Sequence, residues 1–86
     1  NDAAYGSEIH KLRVDGHDED GAAFGATDLA SMARGFGLGG VSFHNLDHLD
    51  SAFDEFIASD KAALWDFHIS DQVVSPVMRR LTAAKK

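Results

Sequence analysis

Side chains that could do chemistry open the chain. The first residues read NDAAYG, so that an amide and a carboxylate, on Asn1 and Asp2, are followed by two small alanines and then by Tyr5 and Gly6. Taken alone, this pattern is typical of a helix start in which Asn1 or Asp2 is a simple N-cap. If a strand ended just before Asn1, the same hexapeptide would lie at the carboxyl end of a sheet, where open α/β folds bind ligands.

Three other motifs are similar to known sites but fail on spacing or order. His44 and His48 are four apart in HNLDH, yet the HExxH pattern is absent and Asn45 interrupts a helix between them. The acidic DGHDEDG is similar to a calcium loop, but Gly16 and Thr27 stand where that loop needs carboxylates. The glycine-rich GFGLGG follows a helix and precedes a strand, the reverse of a phosphate-binding turn. We interpret them as a solvated helix start, a surface loop and a helix stop.

Composition excludes several classes of protein. Among 86 residues, 14 acidic and 8 basic side chains give a net charge of −6, which disfavours nucleic acid or an anionic membrane as partner. The lack of cysteine excludes disulfides and thiolate metal sites and indicates nothing about the compartment beyond compatibility with a reducing cytosol. The expected location is cytoplasmic. No apolar run reaches the ~18 residues of a membrane span. The length allows one small domain at most.

The elements that must position the opening residues follow from hydrophobic periodicity. Helical spacing from Tyr5 to Val14 predicts a first helix, and a loop rich in Gly and Asp follows it. The pattern predicts a second helix that is N-capped by Thr27 and stopped by Gly37 in the left-handed conformation. The apolar positions that mark this helix are Leu29, Met32, Ala33 and Phe36.

The second half of the chain alternates between predicted strands and helices. The segment GGVSF predicts a strand, and Asn45 is the expected cap of the helix after it. The residues of that helix expected in the core are Phe53, Phe56 and Ile57. AALWDFHI predicts a second strand, with Trp65 packed between sheet and helix. After Pro76 the tail restarts as a short basic helix or a frayed end.

Alternating helices and strands with short connections favour an α/β fold with a parallel sheet covered by helices. The predicted organisation is a turn and helix at 1–14, a loop at 15–27, helix–strand–helix–strand at 28–69 and a tail at 70–86. A sheet of only two strands is marginally stable by itself. We therefore expect the chain to be part of something larger.

Three segments cover nearly the whole chain: NDAAYGSEIHKL, DLASMARGFGLGGVSF and LDHLDSAFDEFIASDKAALWDFHI. Their order resembles the C-terminal part of the cofactor-binding domain of thiamine diphosphate-dependent enzymes, in the acetolactate synthase and pyruvate decarboxylase superfamily. In that family a motif begins with Gly-Asp-Gly and closes with Asn-Asn or Asn-Asp, two variable residues and often Tyr-Gly. Only the closing half occurs in this sequence. The resemblance implies a piece of a Rossmann-like parallel sheet flanked by helices, the thiamine diphosphate-binding fold.

The resemblance also implies a metal site. Asp2 would give a side-chain oxygen and Ala4 its backbone carbonyl to Mg²⁺, an ion that prefers hard oxygen ligands and neutralises the diphosphate. Ala4, Tyr5 and Gly6 would bind the cofactor at the positive end of the first helix. The other carboxylate is implied in the Gly-Asp-Gly half.

Side chains of the first helix fall where relatives place their substrate pocket. Ser7, His10 and Lys11 are the pocket candidates. Glu8 is the catalytic candidate, because some decarboxylases of the family have a glutamate there that assists protonation. The alternative for Glu8 is a first-turn acid favoured by the helix dipole.

The implied function is acetolactate synthase-like carboligation of 2-oxo acids or related carbonyl donors, a lyase or transferase reaction, with thiamine diphosphate and Mg²⁺ as cofactors. A 2-oxo acid decarboxylase of the same superfamily is the alternative, and a non-catalytic α/β interaction module is the further alternative. The 86 residues are not expected to be active alone. Their expected partners are the rest of the enzyme, with the Gly-Asp-Gly half-site and the pyrimidine-binding domain, a small-molecule substrate, and further copies in a homodimer or homotetramer.

Overall fold

Four α-helices and a two-stranded parallel sheet make up the computed structural model, which describes residues 1–83. The elements in chain order are α1 (Gly6–Asp15), a 3₁₀ turn (Asp20–Ala22), α2 (Leu29–Gly35), β1 (Gly39–Phe43), α3 (Leu49–Ser59), β2 (Ala63–Phe67) and α4 (Pro76–Ala83). The expectation of an α/β fold is therefore confirmed at the level of class. None of the described helices is long and apolar enough to cross a membrane.

The chain divides into two units. The first unit consists of Asn1 and Asp28–Ile69 and contains α2, β1, α3 and β2. The second consists of Asp2–Thr27 with the chain that follows Ile69, and contains α1, the 3₁₀ turn and α4.

The start of α2 differs from the sequence prediction. Thr27 is the predicted N-cap, but Asp28 takes that position, and its carboxylate accepts both the backbone N–H and the hydroxyl of Ser31, at 2.9 and 2.6 Å. These hydrogen bonds lower the pKa of Asp28. The prediction of Thr27 is wrong because a neighbouring carboxylate is available as acceptor. The predicted stop is confirmed, since Gly37 adopts the left-handed conformation with φ of 82°.

The start of α3 differs as well. Asn45 is the predicted cap, but its side chain accepts the N–H of Asp47 at 3.0 Å, which makes a local turn instead. The helix begins at Leu49 after His48, whose side chain makes no capping hydrogen bond. The prediction of Asn45 is wrong because the Asn side chain closes a turn of its own before the helix begins.

The two faces of the sheet are covered differently within the first unit. At Gly40 in β1, an added Cβ would collide with the backbone carbonyl of Ala30 in α2, so that glycine allows the helix to lie directly on the strand. On the other face Trp65 meets Phe56 of α3 edge-on, with ring centroids 6.1 Å apart. The expected position of Trp65 between sheet and helix is confirmed. Aromatic contacts also join the strands, because Phe43 stacks on Phe67 at 4.7 Å and meets Trp65 at 5.5 Å.

The core is smaller than the sequence predicts. Phe53, Phe56 and Ile57 are predicted core residues, but they are 52%, 38% and 63% exposed, so this prediction is wrong. Burial depends on how far the sheet extends beneath a helix, and two five-residue strands do not reach under the whole stripe. The buried apolar residues are Ile9, Ala22, Ala30, Ala33, Phe43 and Ala52.

The second unit is tied together by Arg13 of α1. Its guanidinium donates two hydrogen bonds to Glu19, at 2.8 and 2.9 Å, and one to the carbonyl of Asp71 at 2.7 Å. Glu19, and then Asp71, raise the pKa of Arg13, while hydrogen bonds from Gln72 and Arg13 lower the pKa of Asp71. The predicted restart after Pro76 is confirmed by α4, and the last part of the tail, 84–86, lies outside the described residues.

We expect Gly40→Ala to lower the free energy of unfolding by about 1–3 kcal/mol, since the added methyl group must displace backbone. The matched control is Gly35→Ala in α2, where an added Cβ has nothing within 4 Å. That variant should be neutral or up to about 1 kcal/mol more stable. Urea unfolding followed by circular dichroism measures both. Equal effects of the two substitutions would contradict the close approach of α2 to β1.

Candidate functional site

The opening turn, residues 2–6, is held by a short antiparallel bridge. The N–H of Tyr5 donates to the carbonyl of Ala22 at 2.8 Å, and the N–H of Phe24 donates to the carbonyl of Ala3 at 3.0 Å. The rings of Tyr5 and Phe24 also meet edge-on at 5.2 Å. The predicted loop at 15–27 therefore has a defined role, because it fixes the backbone of this turn.

The carboxylate of Asp2 lies over the first residue of α1. One oxygen accepts the N–H of Ala4 at 3.2 Å, and the other lies where a Cβ on Gly6 would collide with it. Gly6 thus leaves the space that the carboxylate occupies. The N-cap residue of α1 is Tyr5, which makes no side-chain capping hydrogen bond. The simple N-cap interpretation of Asn1 or Asp2 is not supported, and the first N–H groups of α1 stay available to an anion.

The backbone of the turn adds a second oxygen. Ala3 has a φ of 61°, a left-handed conformation that directs the chain sharply toward α1. The carbonyl of Ala4 accepts no backbone hydrogen bond from any residue in 1–83. One carboxylate and one free carbonyl are hard oxygen donors of the kind that Mg²⁺ prefers. The residues present therefore fit part of a magnesium site.

The turn supplies only part of a coordination sphere. Across the part of the chain that the structure describes, no group of three or more His, Cys, Asp or Glu side chains could hold a metal ion. Asp2 offers one carboxylate and Ala4 one carbonyl, so the remaining ligands of a six-coordinate ion must come from water, from phosphate oxygens or from another segment of polypeptide.

The other candidate residues lie along α1. Ser7, Glu8 and Lys11 are exposed to solvent. His10 is half-buried and its Nε2 lies 3.1 Å from the carbonyl of Asp71. It also lines a cavity of about 250 Å³ together with residues of the α4 region. Glu8 and Lys11 are thus free to meet a ligand from solvent, whereas His10 is engaged by its own unit.

A second polar cluster, which the sequence did not predict as a site, lies at the carboxyl ends of the two strands. Asp66 is 3% exposed, and one of its oxygens accepts the side-chain amide of Asn1 at 3.2 Å. The same oxygen lies 3.3 Å from Nε2 of His68. The other oxygen is buried and has no hydrogen-bond partner among residues 1–83. Leaving such an oxygen unsatisfied is costly, so this carboxylate is held there by its two partners.

The imidazole rings extend this cluster toward solvent. His44 follows β1 directly, His68 follows β2 directly, and their rings stack with centroids 4.3 Å apart. A buried carboxylate and two imidazole rings thus lie together after the ends of the two strands. The only signal in the sequence is an acid between Trp65 and Phe67 in an otherwise apolar strand, where a carboxylate is rare unless it is paired.

No protein-family model, curated protein or solved structure matches the chain.

We expect Asp66→Ala to destabilise the fold by about 2 kcal/mol, because the amide of Asn1 loses its acceptor and the ring of His68 loses the carboxylate beside it. The control is Asp54→Ala, on the exposed side of α3, which should change the stability by less than about 0.5 kcal/mol. Urea unfolding measures the stabilities, and ¹⁵N chemical shifts of His68 report its tautomer. A loss of stability no greater than that of Asp54→Ala, with an unchanged tautomer, would show that Asp66 does not hold these groups.

Proposed function

We propose that this chain is the C-terminal part of the cofactor-binding domain of a thiamine diphosphate- and Mg²⁺-dependent enzyme that carries out acetolactate synthase-like carboligation of 2-oxo acids. In this proposal the α2–β1–α3–β2 unit is a piece of a Rossmann-like sheet of the thiamine diphosphate-binding fold. One observation carries the proposal: the carboxylate of Asp2 and the free carbonyl of Ala4 lie beside the uncapped start of α1.

The proposed division of labour follows from this geometry. Asp2 and Ala4 each give one oxygen to Mg²⁺, and the partner carboxylate comes from a Gly-Asp-Gly turn in the rest of the enzyme. Tyr5 and Gly6 bring the positive end of α1 to the diphosphate, with Gly6 leaving room for the metal-binding carboxylate. Ala3 and Ala4 are small enough to let these groups approach the ion.

Thiamine diphosphate supplies the electron sink that allows a bond next to a carbonyl carbon to break. The protein contributes position and protons. Glu8 is exposed in the first turn of α1, where its carboxyl group can hold or move a proton at its side-chain oxygens. Ser7 and Lys11 offer a hydroxyl and an ammonium group to a polar substrate. His10 contributes indirectly, since its ring already contacts Asp71.

Exposed apolar side chains support the proposed partners. Besides the α3 stripe, Phe36 is 82% and Ile69 62% exposed, and burying such side chains against further polypeptide is favourable. We infer that the rest of the enzyme, including a pyrimidine-binding domain, and further copies in a cytoplasmic homo-oligomer cover this surface.

In the complete enzyme, Asp2→Ala should weaken retention of Mg²⁺ and thiamine diphosphate at least about tenfold, because it removes one metal ligand. Asp2→Asn should retain most of the affinity, since an amide oxygen is also a hard ligand and still accepts the N–H of Ala4. Asp54→Ala is the surface control. Calorimetric titration of Mg²⁺ and cofactor measures the affinities. Unchanged affinity in Asp2→Ala would refute the metal site.

Pyruvate as sole substrate distinguishes the reaction classes. A condensed hydroxy-oxo acid as product is the expected result for a carboligase. Acetaldehyde would instead favour the decarboxylase, which the exposed position of Glu8 also permits, and Glu8→Gln should then lower the rate of its release. If neither product forms and no cofactor binds, the α/β interaction module is the better description.

A further inference from the structure

One edge of β2 is left without a strand, although its backbone is extended and regular. In the parallel ladder, the N–H of Gly39 donates to the carbonyl of Ala62, and the N–H of His68 donates to the carbonyl of Phe43. Backbone groups along a strand point alternately to its two sides. The even-numbered residues of β2 therefore face β1, and Ala63, Trp65 and Phe67 direct their N–H and C=O groups to the opposite edge.

Asn1 already occupies the carboxyl end of that edge. Its amino nitrogen donates to the carbonyl of Phe67 at 2.8 Å, and its carbonyl accepts the N–H of Ile69 at 2.9 Å. These two hydrogen bonds, to residues on either side of His68, are the pattern of a parallel strand pair. Asn1 thus has the position, direction and register of the last residue of a strand.

Several backbone groups on this edge, before the carbonyl of Phe67, have no backbone partner in the described part of the chain. Within residues 1–83, no backbone hydrogen bond reaches the carbonyl of Ala63, either group of Trp65 or the N–H of Phe67. An open strand edge presents unpaired N–H and C=O groups, and it is a surface that pairs with further chain.

We propose that the edge of β2 opposite β1 binds an extended polypeptide segment that runs parallel to β2 and leads directly into Asn1. The register follows from the bonds of Asn1. The second residue before Asn1 donates to the carbonyl of Trp65 and accepts from the N–H of Phe67. The fourth donates to the carbonyl of Ala63 and accepts from the N–H of Trp65. This proposal needs no cofactor and is independent of the proposed reaction.

The chemistry of the segment is set by its neighbours. A strand that lies beside β2 in a parallel sheet is covered on both faces, so its side chains should be mainly apolar and β-branched. Leu64, which is 37% exposed, and the ring of Trp65 would gain cross-strand neighbours on the two faces. A second copy of the chain is a weaker occupant, because Asn1 already blocks one end of the edge and fixes the parallel direction.

The test adds six apolar, β-branched residues before Asn1 of the full chain and measures amide hydrogen exchange by NMR. The N–H groups of Trp65 and Phe67 should exchange about tenfold more slowly than in the unextended chain. The N–H groups of Leu64 and Asp66, which face β1, are the internal reference. Unchanged exchange at Trp65 and Phe67 relative to this reference overturns the proposal.

Two proline variants of the extension test the register. Proline at the second residue before Asn1 removes the N–H that donates to Trp65, so the protection should be lost. Proline at the third residue replaces an N–H that points away from β2, and the protection should remain. If the unextended chain is not folded, the comparison of these two variants decides alone. Equal protection in both, or a dimer of the unextended chain that already protects Trp65 and Phe67, overturns the proposal.

Discussion

The parallel pairing of β1 with β2 determines where the polar cluster and the unpaired strand edge of the first unit lie. Because the strands run in the same direction, their carboxyl ends lie at the same end of the sheet. The residues that follow them, His44 and His68, stack there. The same register directs alternate side chains to opposite faces, which puts Asp66 on the opposite face of β2 from Trp65. It also directs alternate backbone groups away from β1, which defines the open edge.

Close packing in this unit depends on residues with little or no side chain. Helix α2 contacts the strand through Ala30, and Gly40 leaves room for the helix backbone. The buried positions of α2 are both alanines, Ala30 and Ala33. Small residues bring backbone layers close together but bury little apolar area per residue. The larger side chains therefore lie outside this contact, which is the physical reason that so many of them remain exposed.

The parts of the fold that the sequence predicted are those set by local chemistry. Gly37 stops α2 because only glycine adopts that conformation cheaply, and Pro76 starts α4 because its fixed φ suits the first turn. The predicted cap of α2 was wrong because Asp28, next to Thr27, offers a competing carboxylate, and that of α3 was wrong because the Asn45 side chain closes a turn before the helix begins. The burial of the α3 stripe could not be predicted, since it depends on how many strands lie beneath the helix.

The two candidate sites also differ in whether the sequence could identify them. Asp2, Ala4 and Gly6 could be identified because they are adjacent in sequence and belong to one motif. The cluster around Asp66 could not, because only the folded sheet brings Asn1, 65 residues away in sequence, and the ring of His44 to Asp66 and His68. Nor does any local pattern show that Phe24 and Ala22 hold the opening turn.

That bridge has a thermodynamic consequence. Ala3 occupies a conformation that costs an alanine about 1 kcal/mol or more, and the hydrogen bonds to the 22–24 segment offset this cost. Detachment of the segment removes these hydrogen bonds, so the turn is then free to leave this conformation. Any ligand that binds only this conformation of the turn is therefore linked to the attachment of the 22–24 segment, and each must strengthen the other by the same factor.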